Sequence, residues 1–295
     1  MEEGRGMAGM RMTRRIGLTA LAAALTSACS PLSVFATLTP KDAAKVEGRG
    51  ARYAAGARGG IDVYAPPTAQ GAAPVAVFFY GGSWDSGRRQ DYGWAARALA
   101  AQGFLTLVPD YRLYPEVRFP SFLEDCAQAV RWAADHAASL GGDPERIVLV
   151  GHSAGAYNAA MLALDPRYLA AAGVRPGAIK AFAGLSGPYA FLPLDGPVTR
   201  RTFGEAADLE ATQPTRYVRA DAPPAFLATG DKDTTVYPRN TRKLAAALRD
   251  AGAKVEERHY PGVDHAGTVL ALSRPFRRKA TLLADMTAFL KAAVG

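Results

Sequence analysis

The sequence predicts an α/β protein: a mostly parallel central sheet, helices on both faces, and a small cap region above the sheet. Three observations carry this prediction. Short aliphatic runs alternate with helical patterns from about residue 60 to the end of the chain. Val75-Ala76-Val77-Phe78-Phe79 is apolar without interruption, as a strand buried on both faces requires. Ile147-Val148-Leu149-Val150 runs into Gly151-His152-Ser153-Ala154-Gly155 and then into 156–164, whose composition favours a helix. In that setting small residues allow a turn sharp enough to hold Ser153 Oγ clear of the backbone.

Each element follows from local chemistry. Residues 29–59 read as a tether, in which Pro40 to Gly59 mixes Ala, Gly, Lys and Arg without a clear period. Ile61-Asp62-Val63-Tyr64 alternates like an edge strand, with Pro66-Pro67 and Gly71 turning the chain after it. The strand at 75–79 ends in Tyr80-Gly81-Gly82-Ser83-Trp84. Residues 95–101 form the first crossover helix, stopped by Gly103, and 104–108 the next strand. Ser121-Phe122-Leu123-Glu124 fits a capping box. It opens a helix in which Phe122, Cys126, Ala129, Val130, Ala133 and Ala137 recur at three and four. Asp143-Pro144 then turns the chain toward Gly151. There follow a strand at 179–185, an irregular stretch at 187–224, a strand at 225–229, a helix at 240–251, a strand at 254–260 and an amphipathic helix at 276–293. With no internal repeat and no second composition regime, residues 60–295 read as one domain. Residues 187–224 form its short cap, where Tyr189, Phe191 and Leu192 shape a pocket or simply pack.

The 295 residues are 49% hydrophobic and 21% charged, the proportions of a globular chain. Residues 1–28 stand apart. Arg11, Arg14 and Arg15 precede an apolar run of ten at 16–25, too short to span a bilayer, and Thr26-Ser27-Ala28-Cys29 supplies small residues for cleavage. This is the pattern of an export signal. The placement of Cys29 resembles a bacterial lipoprotein box, with Thr26 where Leu is usual, and so implies an envelope protein lipid-anchored to a membrane through Cys29. Thr13-Arg14-Arg15 hints at twin-arginine export, against which Gly17 departs, and Met7, Met10 and Met12 offer alternative starts. The formal net charge of +8 is scattered except at Arg274, Arg277, Arg278 and Lys279. No aromatic interleaving accompanies that cluster, so it reads as the solvated turn before the last helix and not as a nucleic-acid groove. Two cysteines give no disulfide framework, and Cys126 reads as a small buried hydrophobe.

A serine hydroxyl is a poor nucleophile at neutral pH, so Ser153 needs a base, and the base needs an acid to orient it. Where a parallel sheet carries such a set, the order is Ser, acid, His. His259 and His265 follow Ser153. His259 lies within the last strand, whereas His265 lies in the loop Pro261-Gly262-Val263-Asp264-His265-Ala266-Gly267 and is the candidate base. His136 sits on the capped helix, and His152 is pinned beside Ser153, pointing away from the side of attack. Thr229-Gly230-Asp231-Lys232-Asp233 follows a strand directly and leaves Asp231 and Asp233 both open. Donors for an oxyanion are the Ala154 N–H and the turn at Gly81-Gly82-Ser83.

Tyr80 to Trp84, Asp110-Tyr111-Arg112-Leu113, Gly141 to Ile147, Gly151 to Gly155, Gly230-x-x-Asp233-x-x-Val236 and His265 together resemble the α/β-hydrolase fold in order and spacing. The similarity is greatest to its carboxylesterase and lipase branch with an HGG-type oxyanion turn, near hormone-sensitive-lipase-like, feruloyl-esterase-like and kynurenine-formamidase-like enzymes. The resemblance covers about residues 60 to 290. It implies Ser153 as nucleophile, His265 as base and Asp233 as its orienting acid, with the Gly82, Ser83 and Ala154 amides as oxyanion donors. Asp231 is then a turn residue, Trp84 a buttress of the acyl pocket, and Asp110 and Arg112 structural anchors. Tyr80 departs from the pattern, standing where the family has the His of HGG, and its hydroxyl serves as loop organiser in that residue's place. The implied activity is that of a serine esterase acting on small to medium acyl esters without cofactor or metal, since no His, Cys or carboxylate cluster has ligand spacing. An amidase or formamidase would use the same residues. A catalytically idle, hydrolase-like envelope binding protein is the reading from another class, which the intact Ser153, Asp233 and His265 set opposes.

Overall fold

A computed structural model describes residue 1, residues 31–68 and residues 71–295; the expected export signal and Cys29 lie outside the described residues. Eight strands form one sheet: β1 (Lys45–Arg52), β2 (Gly60–Ala65), β3 (Ala73–Phe79), β4 (Leu105–Pro109), β5 (Gly142–His152), β6 (Ile179–Leu185), β7 (Ala225–Gly230) and β8 (Val255–Tyr260). Their spatial order is β1-β2-β4-β3-β5-β6-β7-β8. β1 and β2 are antiparallel to their neighbours, and every pairing from β4 to β8 is parallel. The mostly parallel sheet predicted from the apolar runs is the one observed.

The helices are α1 (Pro31–Leu38), α2 (Gly93–Ala101), α3 (Ser121–His136), α4 (Ala154–Leu164), α5 (Pro166–Ala171), α6 (Pro197–Phe203), α7 (Arg239–Asp250), α8 (His265–Leu270) and α9 (Leu282–Val294). α2 and α9 pack together on one side of the sheet, while α3, α4 and α5 pack together on the other. Val75 to Phe79 are covered from both sides and fully buried. Each such large apolar side chain contributes about 1.5–3 kcal/mol on leaving water. Chain order reverses at β3 and β5, since β3 continues outward to β4 and the chain then returns to place β5 on its other side. The crevice beyond the carboxyl ends of strands at such a point is where α/β sheets bind ligands.

Several local expectations need correction. The stretch read as a tether is part of the fold: β1 pairs with β2, and Tyr53 Oη donates to the Asp110 carbonyl at 2.6 Å. β1 gives no apolar alternation because its side chains are mostly exposed and it is held through its backbone. β2 is therefore an interior strand, buried along its whole length, and not an edge. Ser121 is the first residue of α3 and caps nothing; Pro120 occupies the cap position, and the Ser121 N–H bonds to the Arg118 carbonyl at 2.9 Å. The last helix begins at Leu282, after a separate turn at Arg277–Lys279. Arg277 of the basic cluster is not simply solvated, because its guanidinium holds both Asp42 oxygens at 3.1 and 2.7 Å. Asp143 turns the chain as expected, accepting the Glu145 N–H at 2.9 Å, but it does so as an irregularity within β5.

Candidate active site

Ser153 follows β5 directly, at φ 55° and ψ −121°, a strained turn between strand and helix. The flanking glycines are required by space. A Cβ on Gly151 would lie 2.1 Å from the Gly155 carbonyl oxygen, and one on Gly155 would lie 2.0 Å from that of Phe79. α4 thus packs against the end of β3 at backbone distance, and the Ser153 N–H closes the turn on the Leu185 carbonyl at 2.9 Å.

Phe79 and Gly151 are register partners, so the turn after β3 stands level with Ser153. A Cβ on Gly81 would approach Ser153 Cβ to 3.0 Å and His152 Nδ1 to 3.1 Å, which measures how closely the two turns meet. Gly82, Ser83 and Trp84 all have positive φ, a rare run that turns their peptides out of sheet geometry. Ser86 N–H and Oγ–H both close on the Gly82 carbonyl at 2.9 Å, holding the turn. Among the described residues, the N–H groups of Gly82, Ser83 and Ala154 have no intramolecular acceptor. Three donors are left for a ligand.

Gly230 and Tyr260 are also register partners, and the loops beyond them are joined. The Asp231 N–H bonds to the Tyr260 carbonyl at 3.1 Å, the Lys232 N–H to the Val263 carbonyl at 3.0 Å, and the Gly262 N–H to Asp231 Oδ1 at 2.7 Å. Asp231 is the turn residue, as expected. The joined loops bring Asp233 and His265 together. His265 Nδ1 and Asp233 Oδ2 are 2.9 Å apart, and His265 Nε2 and Ser153 Oγ are 2.9 Å apart. Asp233 Oδ1 accepts the N–H groups of Thr235 at 3.0 Å and Val236 at 2.8 Å. Burial raises the Asp233 pKa, but the bond to and charge of His265, the Val236 amide and the Ser186 hydroxyl outweigh it, and the net direction is downward from 3.8. The carboxylate stays ionised, which fixes the His265 proton on Nδ1 and leaves Nε2 free to accept from Ser153. His265 is not in an open loop but begins α8, where Asp264 caps the helix through the Gly267 N–H at 2.7 Å.

Tyr80 is fully buried, stacked between Tyr92 and Tyr111 with ring centroids 5.6 and 4.8 Å away. Its hydroxyl donates to Asp110 Oδ1 at 2.9 Å and accepts from Arg58 at 3.3 Å, while its carbonyl accepts from Tyr111 Oη at 2.7 Å. Burial and then the Asp110 charge raise its pKa, so it remains a neutral phenol. It organises the base of the turn and does not reach Ser153. Asp110 also takes the Arg89 N–H at 2.8 Å and an ion pair with the Arg89 guanidinium; Arg112 clasps Asp125 at 2.7 and 2.8 Å. Both act as anchors. Trp84 is buried edge-on to Phe203 at 4.8 Å and Tyr157 at 5.3 Å, and its Nε1–H donates to Asn158 Oδ1 at 3.1 Å. The 187–224 stretch is fastened here, since Arg201 of α6 pairs with Asp85 of the turn. Phe191 joins this aromatic group at 5.1 Å from Phe203, Leu192 is half-buried, and Tyr189 is fully buried packing. His136 stacks on Trp132 at a helix surface, and His259 bonds Glu257 at 2.7 Å on β8.

One contributor was not foreseen. The His152 ring lies 5.0 Å from that of His265, and its Nε2–H donates to the backbone carbonyl of His265 at 3.1 Å. That carbonyl also accepts from Thr268 Oγ1 at 2.8 Å, and Thr268 in turn pairs with Ser186 Oγ at 3.1 Å. Burial, with the neighbouring His265 adding to it, lowers the His152 pKa to about 3. A neutral imidazole therefore fastens the start of α8 to the turn that carries Ser153. Nothing in the sequence signals this bond, because its acceptor is a main-chain oxygen 113 residues away.

This sheet, with its serine on the strand-to-helix turn at the switch point, is an α/β-hydrolase. Esterase B from Lactobacillus rhamnosis superposes with a TM-score of 0.79 over 94% of this chain and 95% of its own, at 18% identity. The thermostable carboxylesterase EstE1 from a metagenomic library gives 0.73 over 90% and 93%, at 20% identity. At such identity these likenesses show the fold alone. The BD-FAE family model matches residues 61–248, and the chain belongs to that family of α/β-hydrolase carboxylesterases. Carboxylesterase NlhH of Mycobacterium tuberculosis is 32% identical over 244 residues, 75% of either chain. Esterase LipQ of the same organism is 33% identical over 223 residues, covering 68% of this chain and 52% of LipQ. The probable isoprenylcysteine alpha-carbonyl methylesterase ICMEL1 of Oryza sativa is 32% identical over 247 residues, 75% of this chain and 56% of that protein. The chain thus spans little more than half the length of these last two relatives.

Proposed function

We propose that the protein is a serine carboxylesterase that hydrolyses small to medium acyl esters through an acyl-enzyme. The relay Asp233–His265–Ser153, with both contacts at 2.9 Å, carries this reading. Ser153 Oγ attacks the ester carbonyl as His265 Nε2 takes its proton. Asp233 holds the ring in the competent tautomer and stabilises the imidazolium that forms. The carbonyl oxygen, now negative, is met by the N–H groups of Ala154, Gly82 and Ser83. The tetrahedral intermediate expels the alkoxide, which receives the proton from His265, leaving the acyl group on Ser153. Water, deprotonated by His265, repeats the sequence in reverse and releases the acid. The buried aromatic group of Trp84, Tyr157 and Phe203 next to the turn, with the cap fastened at Arg201 and Asp85, supports a site of limited depth.

The export pattern at 1–28 supports placement at the cell envelope, with the mature chain anchored through Cys29 and the hydrolase domain taking in β1 and α1 as well as the rest of the chain. Mass spectrometry of the purified native N-terminus tests this directly: an unmodified chain that keeps 1–28 refutes it. For the activity, the test is turnover of p-nitrophenyl esters from acetate to long acyl chains by the wild type beside Ser153→Ala. The expected outcome is turnover with an optimum at short to medium chains that vanishes in the variant. A folded wild type that cleaves none of them, but cleaves aryl formamides, transfers the same residues to a formamidase.

A further inference from the structure

The described face farthest from ordinary surface chemistry carries α1. The helix is docked on one side: Ser33 is buried, and Phe35 packs edge-on against Trp94 at 5.2 Å. Its opposite stripe is not, because Val34 and Leu38, one turn apart, are 45% and 76% exposed. With Val46 of β1 they make up three of the six exposed large apolar side chains among the described residues. Beside this stripe, between α1, β1 and α2, lies a cavity of about 530 Å³ whose wall includes Lys41, Arg49, Arg89, Arg97, Asp62 and Tyr64.

The charges of this cavity do not cancel. Asp62 is consumed by Arg89 at 2.9 Å and by the Gly50 N–H at 2.7 Å. Arg97 donates only to neutral carbonyls, that of Ala44 at 3.2 Å among them, and Lys41 to those of Thr37 and Thr39 at 3.1 and 3.3 Å. Nearby Asp42 and Asp91 are held by Arg277 and Arg88. Among the described residues no carboxylate pairs with Lys41, Arg49 or Arg97. Arg97 lies over the Tyr64 ring at 5.7 Å, and Arg49 and Arg89 line the same wall. An uncompensated basic cavity beside an exposed apolar stripe is the surface that lies in a membrane interface.

We infer that this face docks on a membrane, the cavity seating the phosphate of an anionic phospholipid while Val34 and Leu38 enter the interfacial zone. Free phosphate would have no use for the apolar stripe, and single-stranded nucleic acid would need exposed aromatic platforms, whereas Trp94 here is buried. The geometry also agrees with the sequence, in which Cys29 stands two positions before α1. The inference is independent of the chemistry at Ser153.

The test is co-sedimentation of the full chain carrying Cys29→Ser, which rules out an acyl anchor, with vesicles of pure phosphatidylcholine or about one-third phosphatidylglycerol. Binding is expected to favour the anionic vesicles and to fall at least about 25-fold in Lys41→Glu/Arg49→Glu, at roughly fivefold per basic residue. Val34→Ser/Leu38→Ser should weaken it several-fold, and Arg242→Glu/Lys243→Glu, the same charge change on exposed residues of α7, by less than twofold. Thermal melting reports folding in each variant without reference to ester turnover; if the double charge reversal melts early, Arg49→Gln takes its place. No preference for anionic vesicles, or an equal loss in the α7 variant, overturns the docking face. So does full displacement by glycerol phosphate with the serine variant binding like its parent, which would leave a site for soluble phosphates.

Discussion

Asp233→Asn separates the relay from every other role of this loop. The two N–H groups of Thr235 and Val236 require an oxygen at the Oδ1 position. The amide is therefore oriented with Nδ2 where Oδ2 stood, 2.9 Å from His265 Nδ1. A donor there demands an unprotonated Nδ1, so the ring proton moves to Nε2, the atom that must receive the proton of Ser153. The same exchange in serine protease triads costs about 10⁴ in kcat, equivalent to about 5 kcal/mol of barrier. KM should change little, because the amide touches no substrate. Asp231→Asn is the matched control, since Asp231 only accepts the Gly262 N–H, and a loss of less than tenfold is expected. Steady-state hydrolysis of p-nitrophenyl butyrate, with thermal melting to establish folding, measures both. Retention of more than about a tenth of kcat by a folded Asp233→Asn protein, or an equal loss in Asp231→Asn, would refute the relay.

Three further outcomes follow from particular contacts. The folded pKa of His152, about 3, lies below its unfolded value of 6.5, so the unfolded state binds the extra proton and stability falls as pH drops from about 6.5 toward 3. His152→Gln keeps a donor for the His265 carbonyl without titrating; between about pH 7 and pH 5 the wild type should lose roughly 2 kcal/mol more than this variant in urea denaturation, and parallel curves would contradict the assignment. Gly155→Ala places a methyl group 2.0 Å from the Phe79 carbonyl, where neither backbone can yield, and should cost at least about 3 kcal/mol, the upper part of the overpacking range; an unchanged Tm would show that α4 does not pack so closely. Tyr80→Phe keeps both ring stacks but removes a donor to Asp110, and is expected to lower stability by about 1–2 kcal/mol with kcat within fivefold, whereas a loss of a hundredfold would mean that the hydroxyl acts in the reaction.

Much of this fold was legible because its information is local. An uninterrupted apolar run such as Val75 to Phe79 needs no partner to be read as a buried strand, and Gly151 to Gly155 states its own turn. His265 could be selected over His259 because His259 lies within the last strand and His265 beyond its end. Asp231 and Asp233 could not be separated this way, since both sit in the same short loop with the same chemistry. Which of them meets His265 depends on the joining of two loops through the Tyr260 and Val263 carbonyls.

By itself, then, the sequence determined the order of strands β2 to β8 and of the longer helices between them, the serine turn, the candidate base and the glycine turn after β3, all features written in side-chain size and spacing. Only the tertiary structure decided that 45–52 is a strand of the sheet, that His152 fastens the start of α8, that Arg201 ties the cap to Asp85, and that Lys41, Arg49 and Arg97 face one cavity. The reason is physical. These contacts are made to backbone oxygens or between residues far apart in the chain, and a main-chain carbonyl has no residue identity for a sequence pattern to reveal.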